Sequence, residues 1–174
     1  MQDQETNGYQ LARSIGLKYG GWLGLGLGAV TIVLYAVDAF SNQWEIGVSV
    51  SAMLLIMLAA MLTFRKSNGG FMTLGQGFRV GLTTAVMAAL VNTVMTQIYT
   101  QLIDTEATQR ALDRSSQRML QAGESVDRVS LYVQFMEKLA PPHIAIAATL
   151  ITVAFFGAIA ALILGMLLKQ NPRQ

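Results

Sequence analysis

Gly24-Leu-Gly26-Leu-Gly28-Ala29 matches the G-x-G-x-x-A fingerprint that cradles a dinucleotide pyrophosphate, and Glu45 follows at a spacing suited to a ribose hydroxyl. That chemistry needs a strand before the glycines and a βαβ unit around them. Here the glycines sit in an uninterrupted apolar run, Trp22–Val37, which a nucleotide could not reach, so the match is coincidental. The single histidine, His143, has too few nearby ligand-type residues for a metal site. The absence of cysteine removes thiolate chemistry, disulfides and Cys-based zinc sites. No serine or threonine has a base and an orienting group at recognisable spacing. Asp113, Arg114 and Arg118 read as a solvated surface. We therefore expect no catalytic residue, no metal and no cofactor: the chain is not read as an enzyme.

The elements that would have to position any site are plain from composition. Of 174 residues, 53% are hydrophobic and 13% charged, the latter about half the soluble norm. The apolar residues cluster in four uncharged runs, Trp22–Val37, Ile46–Phe64, Val80–Tyr99 and Ile144–Leu168. Crossing the hydrocarbon core takes about 20 residues, and lipid cannot satisfy exposed backbone groups, so each run should be a helix. The first run gains length backward through Gly16–Gly21, with Lys18 snorkelling toward the headgroups. The predicted architecture is one all-α membrane domain over 1–174, with spans at 17–38, 46–64, 79–99 and 143–168. The acidic start Met1-Gln-Asp-Gln-Glu5 is unlike the positive n-region of a signal peptide, so the first run reads as a retained helix.

Basic residues set the orientation. Arg13 and Lys18 lie at or before the start of the first span, Arg65, Lys66 and Arg79 at the connection from the second to the third, and Lys169 and Arg173 follow the fourth. The short connection Asp38–Glu45 has none. Both termini are expected in the cytoplasm. Tyr19 and Trp22 would then mark the inner interface, and Tyr35, Trp44 and Tyr99 the outer one.

Residues 100–142 form the one large polar excursion. Ile98, Leu102, Thr105, Gln109, Leu112, Ser116 and Met119 recur at helical spacing, so the third span is expected to run on to a terminating glycine, Gly123. Ser125 can cap a second helix with an apolar face of Val126, Val129, Val133 and Met136, which Pro141-Pro142 ends. An external helical hairpin is the expected result. Its basic residues are interspersed with acids, and with no basic stripe or aromatic platform nucleic-acid binding is not expected.

Small residues recur every four positions. Gly16, Gly20, Gly24 and Gly28 line one side of the first span, Gly77, Gly81, Ala85 and Ala89 the third, and Gly157, Ala161 and Gly165 the fourth. Such faces let helices approach closely. They predict packing within one bundle, with an oligomer interface as the sharper alternative. Asn92 should face another helix, and shares a face with Thr96, so the two form either an interhelical hydrogen-bond site or a narrow polar path. No Asp, Glu, Lys, Arg or His lies in the four runs, which argues against ion-coupled transport.

In Ser67–Gly81, Gly69-Gly70 permits a turn with positive φ, and Thr73 with Gln76 forms a capping box starting a helix at Leu74. Phe71, Phe78 and Arg79 could lie at the interface, making this segment a candidate docking site for a partner or headgroup. The glycine pair, the aromatic and then Leu74-Gly-Gln-Gly-Phe-Arg-Val-Gly81 resemble the signature of an uncharacterised Bacteroidota membrane family, domain of unknown function forty-one ninety-nine. That resemblance implies four spans, a polar helical stretch between the last two, and a bacterial inner membrane. It brings no activity and no catalytic residue.

The leading expectation is a non-enzymatic membrane component, a scaffold or partner-binding protein that contacts the lipid bilayer and other membrane proteins or itself. The alternative is a small channel or transporter subunit built on Asn92 and its neighbouring threonines.

Overall fold

A Cβ added to Gly20 would come within 2.5 Å of the Thr84 carbonyl oxygen, and one on Gly24 within 2.7 Å of the Ala88 carbonyl oxygen. Two helices that close have glycine for one reason: no other residue leaves room for the neighbouring backbone. The computed structural model describes residues 2–37, 39 and 43–170, with side chains described at 8–37, 39 and 46–170. Trp44, Glu45 and Arg173, each invoked above, and the side chains of Met1–Glu5 lie outside that range.

The described residues form α1 (Gln2–Ala36), α2 (Gln43–Ser67), α3 (Leu74–Ile98), α4 (Ala107–Gln121), α5 (Val126–Leu139) and α6 (Pro142–Leu168). Among the described residues four stretches are long and apolar enough to cross a membrane: Gly8–Ala36, Ile46–Ser67, Leu74–Ile103 and Pro142–Leu168. The first begins well before the predicted residue 17. The polar N-terminal segment is not a separate tail but the first turns of α1.

α3 is the centre of the bundle. Gly16, Gly20, Gly24 and Gly28 of α1 meet Thr83, Thr84, Ala88, Val91 and Met95 in order, so the two helices run parallel. On another side of α3, Gly77 meets Gly165, Gly81 meets Ala161, and Ala85 meets Gly157, so α6 runs antiparallel. All three predicted small-residue faces are therefore consumed inside one chain. α2 is held differently. Its burial lies in its second half, where Met57, Ala60, Met61 and Phe64 are fully buried against Val80, Ala85 and Ala161. Tyr19 fixes this half to α1 through a 2.8 Å hydrogen bond to the Thr63 hydroxyl. The first half of α2, from Ile46 through Val50, is exposed.

Both described ends of the chain lie on one face of the bundle with the α2–α3 connection; α4 and α5 lie on the other. Gly69 (φ 68°) and Gly70 (φ 88°) make the connecting turn. Thr73 caps α3 by accepting from the Gln76 amide at 3.3 Å, while the Gln76 side chain accepts from the Thr73 amide at 2.9 Å. After α6 the chain turns back and pairs with this connection: Met72 and Gln170 exchange both backbone hydrogen bonds at 3.0 Å. The Met72 side chain is fully buried beneath that clasp.

The third span does not run unbroken to Gly123. Past Ile98 it widens into one π-helical turn, Tyr99–Ile103, and stops at Asp104, whose φ of −134° and ψ of 82° are not helical. Hydroxyls that bond backward to their own helix compete with its ladder. Thr96 donates to the Asn92 carbonyl and Thr100 to the Thr96 carbonyl at this point. Beyond the break Arg110 pairs with Asp104 and, at 3.8 Å, with Glu106, and α4 begins anew. The extra residue rotates the predicted seam: Leu102 is 78% exposed, and the buried residues of α4 are Ala107, Ala111 and Leu112. Gly123 (φ 86°) ends α4, and Ser125 caps α5 by accepting from the Arg128 amide at 3.4 Å. Of the predicted α5 face Val129 is buried and Val133 half-buried, whereas Val126 is exposed. Pro142 occupies the first turn of α6.

Gly→Ala in an open helix position gains up to about 1 kcal/mol, whereas overpacking costs about 1–3 kcal/mol. Gly20→Ala and Gly24→Ala should therefore lower the thermal midpoint in detergent micelles. Gly21→Ala and Gly26→Ala, whose Cβ atoms would meet open space, should leave it unchanged or raise it.

Candidate functional site

Because α2 is held only by its second half, its first half stands away from α1, α3 and α6 and leaves a cavity of about 810 Å³. Leu23, Leu27, Val30 and Leu34 of α1 form one wall, with Ile46, Val50 and Ile56 of α2 opposite. The third wall is a polar stripe on α3: Asn92, Thr93, Thr96 and Gln97. Thr31, Ser49 and Thr149 add hydroxyls from the other helices, and among the described residues no charged side chain lines the cavity.

The predicted pair Asn92 and Thr96 thus does share a face, and Asn92 does meet another helix: the Thr31 hydroxyl donates to its side-chain oxygen at 3.4 Å. The Thr96 hydroxyl donates to the Asn92 backbone carbonyl at 2.9 Å. Toward the face that carries the chain ends, the fully buried Met57, Met61, Phe64 and Met72 fill the bundle interior.

Gln97 was not among the predicted residues. Its side-chain oxygen is buried and, among the described residues, no donor reaches it. In sequence it looks like an interfacial residue at the end of a span. The signal was present nonetheless, since Thr93, Thr96, Gln97 and Thr100 recur at helical spacing as one polar stripe.

That stripe continues into a second cavity of about 430 Å³, between the end of α3, α4, α5 and α6. Thr96, Gln97, Ala145 and Thr149 line both cavities, so the two abut. The second has a different chemistry, with Thr100, Gln101, Thr108, Gln109, Ser115 and Tyr132 on its walls and Glu137 as the charged residue.

In the candidate docking segment the guanidinium carbon of Arg79 sits 3.5 Å from the centroid of the Tyr9 ring, a cation–π contact that ties α3 to the first turns of α1. Phe78 packs against the core, Thr73 and Gln76 cap their own helix, and Phe71 is 41% exposed. His143 is exposed, and among the described residues no group of three or more His, Cys, Asp or Glu lies together.

A family model described as a protein of unknown function (DUF4199) matches residues 18–170. The chain belongs to that family. The matched segment takes in α2 to α6 and α1 from Lys18 onward, and with them every residue lining the two cavities. Tyr9 and Gly16 lie before it. No curated protein and no solved structure matches the chain. DUF4199 membership brings no activity with it, so the function is argued from the geometry.

Hydrogen bonds between membrane helices average about 0.6 kcal/mol and reach about 1.7 kcal/mol. A double-mutant cycle of Thr31→Val with Asn92→Leu, read by reversible unfolding in micelles, should return a coupling in that range.

Proposed function

We propose that the protein is a non-enzymatic component of a bacterial inner-membrane assembly, with both termini in the cytoplasm and α4 and α5 outside, where they meet a partner protein. The observation that carries this reading is the exposed apolar surface of α5. Leu131 and Phe135, one turn apart on α5, are 64% and 60% exposed, in a part of the chain that no span explains. Exposed apolar groups beyond the bilayer mark contact sites. The small-residue faces, the other candidates for partner contact, are already used inside the chain. The orientation is supported by Arg13, Lys18, Arg65, Lys66, Arg79 and Lys169, which all belong to the end of the bundle that carries the termini. A pore through one chain is the weaker reading, because the cavity beside Asn92 lies above a methionine-filled core.

Because the chain has no cysteine, a single introduced thiol reports without background. An impermeant maleimide should label Gln121→Cys in intact cells and Ser67→Cys only after lysis; the reverse pattern would refute the orientation. A photoreactive residue at Phe135 should give one discrete protein adduct in native membranes, where the same residue at Ile151 of α6 gives lipid adducts. A monomeric protein with no adduct at Phe135 would end the partner reading.

A further inference from the structure

Three hydroxyls around the abutting cavities have already committed their protons to backbone carbonyls. Thr96 donates to Asn92 at 2.9 Å, Thr100 to Thr96 at 3.0 Å and Ser115 to Ala111 at 3.0 Å. Each oxygen keeps acceptor capacity. The Gln97 side-chain oxygen, at the junction of the two cavities, is an acceptor without a donor. An unsatisfied buried acceptor costs about 1–3 kcal/mol, so a bound group that donates there is stabilised. These positions accept from a ligand's donors.

Charge narrows the class. Among the described residues the larger cavity has no charged side chain on its walls, and the smaller has Glu137 without a cation. A phosphate head would find no counter-charge and would be repelled by Glu137. A bare ammonium would use Glu137 and, as one compact donor group, reach only the oxygens nearest that carboxylate. Several uncharged hydroxyls on one head match several acceptors.

The larger cavity, about 810 Å³, falls in the range of roughly 300–1,000 Å³ usual for small-molecule sites. The π-helical turn Tyr99–Ile103 directly follows the polar stripe, and such turns recur at functional sites.

We propose that the two cavities form one binding site for a lipid with a neutral polyhydroxylated head, its acyl chain between α1 and α2 and its head among Gln97, Thr100, Gln101 and Tyr132. The site goes beyond the partner contact and is separate from it, since Leu131 and Phe135 line neither cavity.

The test uses the full chain in nanodiscs and two photoreactive probes with the same diazirine-bearing chain, monoglucosyl diacylglycerol and phosphatidylglycerol. The glucosyl probe should label the α1 and α2 walls, near Val30 and Ile56, and unlabelled monoglucosyl diacylglycerol should displace it while phosphatidylglycerol does not. Gln97→Leu should weaken labelling about tenfold, the scale of one lost buried hydrogen bond. Gly26→Phe, which fills the cavity from a position with open space around its Cβ, should abolish labelling with no fall in thermal midpoint. Equal labelling by both probes, or labelling indifferent to both substitutions, would mean that any acyl chain fills the gap and would overturn the proposal. So would the absence of labelling together with a lowered midpoint for Gly26→Phe, because α2 then closes the cavity itself.

Discussion

Everything in this bundle depends on how closely α1 can approach α3. Inside a membrane, apolar surface gives helices no reason to prefer each other over lipid tails, so association rests on van der Waals contact and a few hydrogen bonds. Contact at that range requires small residues, and α1 presents Gly16, Gly20, Gly24 and Gly28 to α3 with no space for a methyl group. α3 repeats the device toward α6 with Gly77, Gly81 and Ala85. Two faces of α3 are thereby committed, and the polar stripe from Asn92 to Thr100 turns toward the space that remains.

That commitment explains α2. α2 docks through Met57, Met61 and Phe64, and the Met57 and Met61 side chains reach the hollow at Gly81 that Ala161 of α6 also enters. Methionine is unbranched and adapts to irregular gaps, which suits a contact confined to one half of a helix. The other half is exposed, and the cavity beside it is a consequence of the topology rather than of any residue placed to make it. The Met72–Gln170 clasp and the Arg79–Tyr9 contact close the opposite end of the bundle. One end is thus fastened and the other open.

Local chemistry was legible in the residues. Hydropathy located the four spans, and short-range rules located the Thr73–Gln76 capping box, the Ser125 cap, the Gly69-Gly70 and Gly123 turns and the proline start of α6. Long-range pairing was not. Spacing says that three helices have small faces, but not that α3 receives both of the others. The contact of Arg79 with Tyr9 was not legible either, because nothing local to Arg79 announces a residue some seventy positions earlier in the chain. The break after α3 was hidden for another reason: the periodicity from Ile98 to Met119 continues through it, whereas the π-helical turn shifts its phase. Gln97 escaped because a glutamine at a span end resembles an interface residue until the neighbouring helices bury it.

The central claim is that the glycine face locks α1 to α3 while the first half of α2 stays free. Since the chain lacks cysteine, spin labels can be placed in pairs at exposed positions and their separations measured by pulsed electron resonance in nanodiscs. The account predicts a single narrow distribution between Val33 of α1 and Val94 of α3, broadened by Gly24→Ile, and a broad one between Val48 of α2 and Val94. A Val33–Val94 distribution as broad as that from Val48, or one untouched by Gly24→Ile, would contradict it.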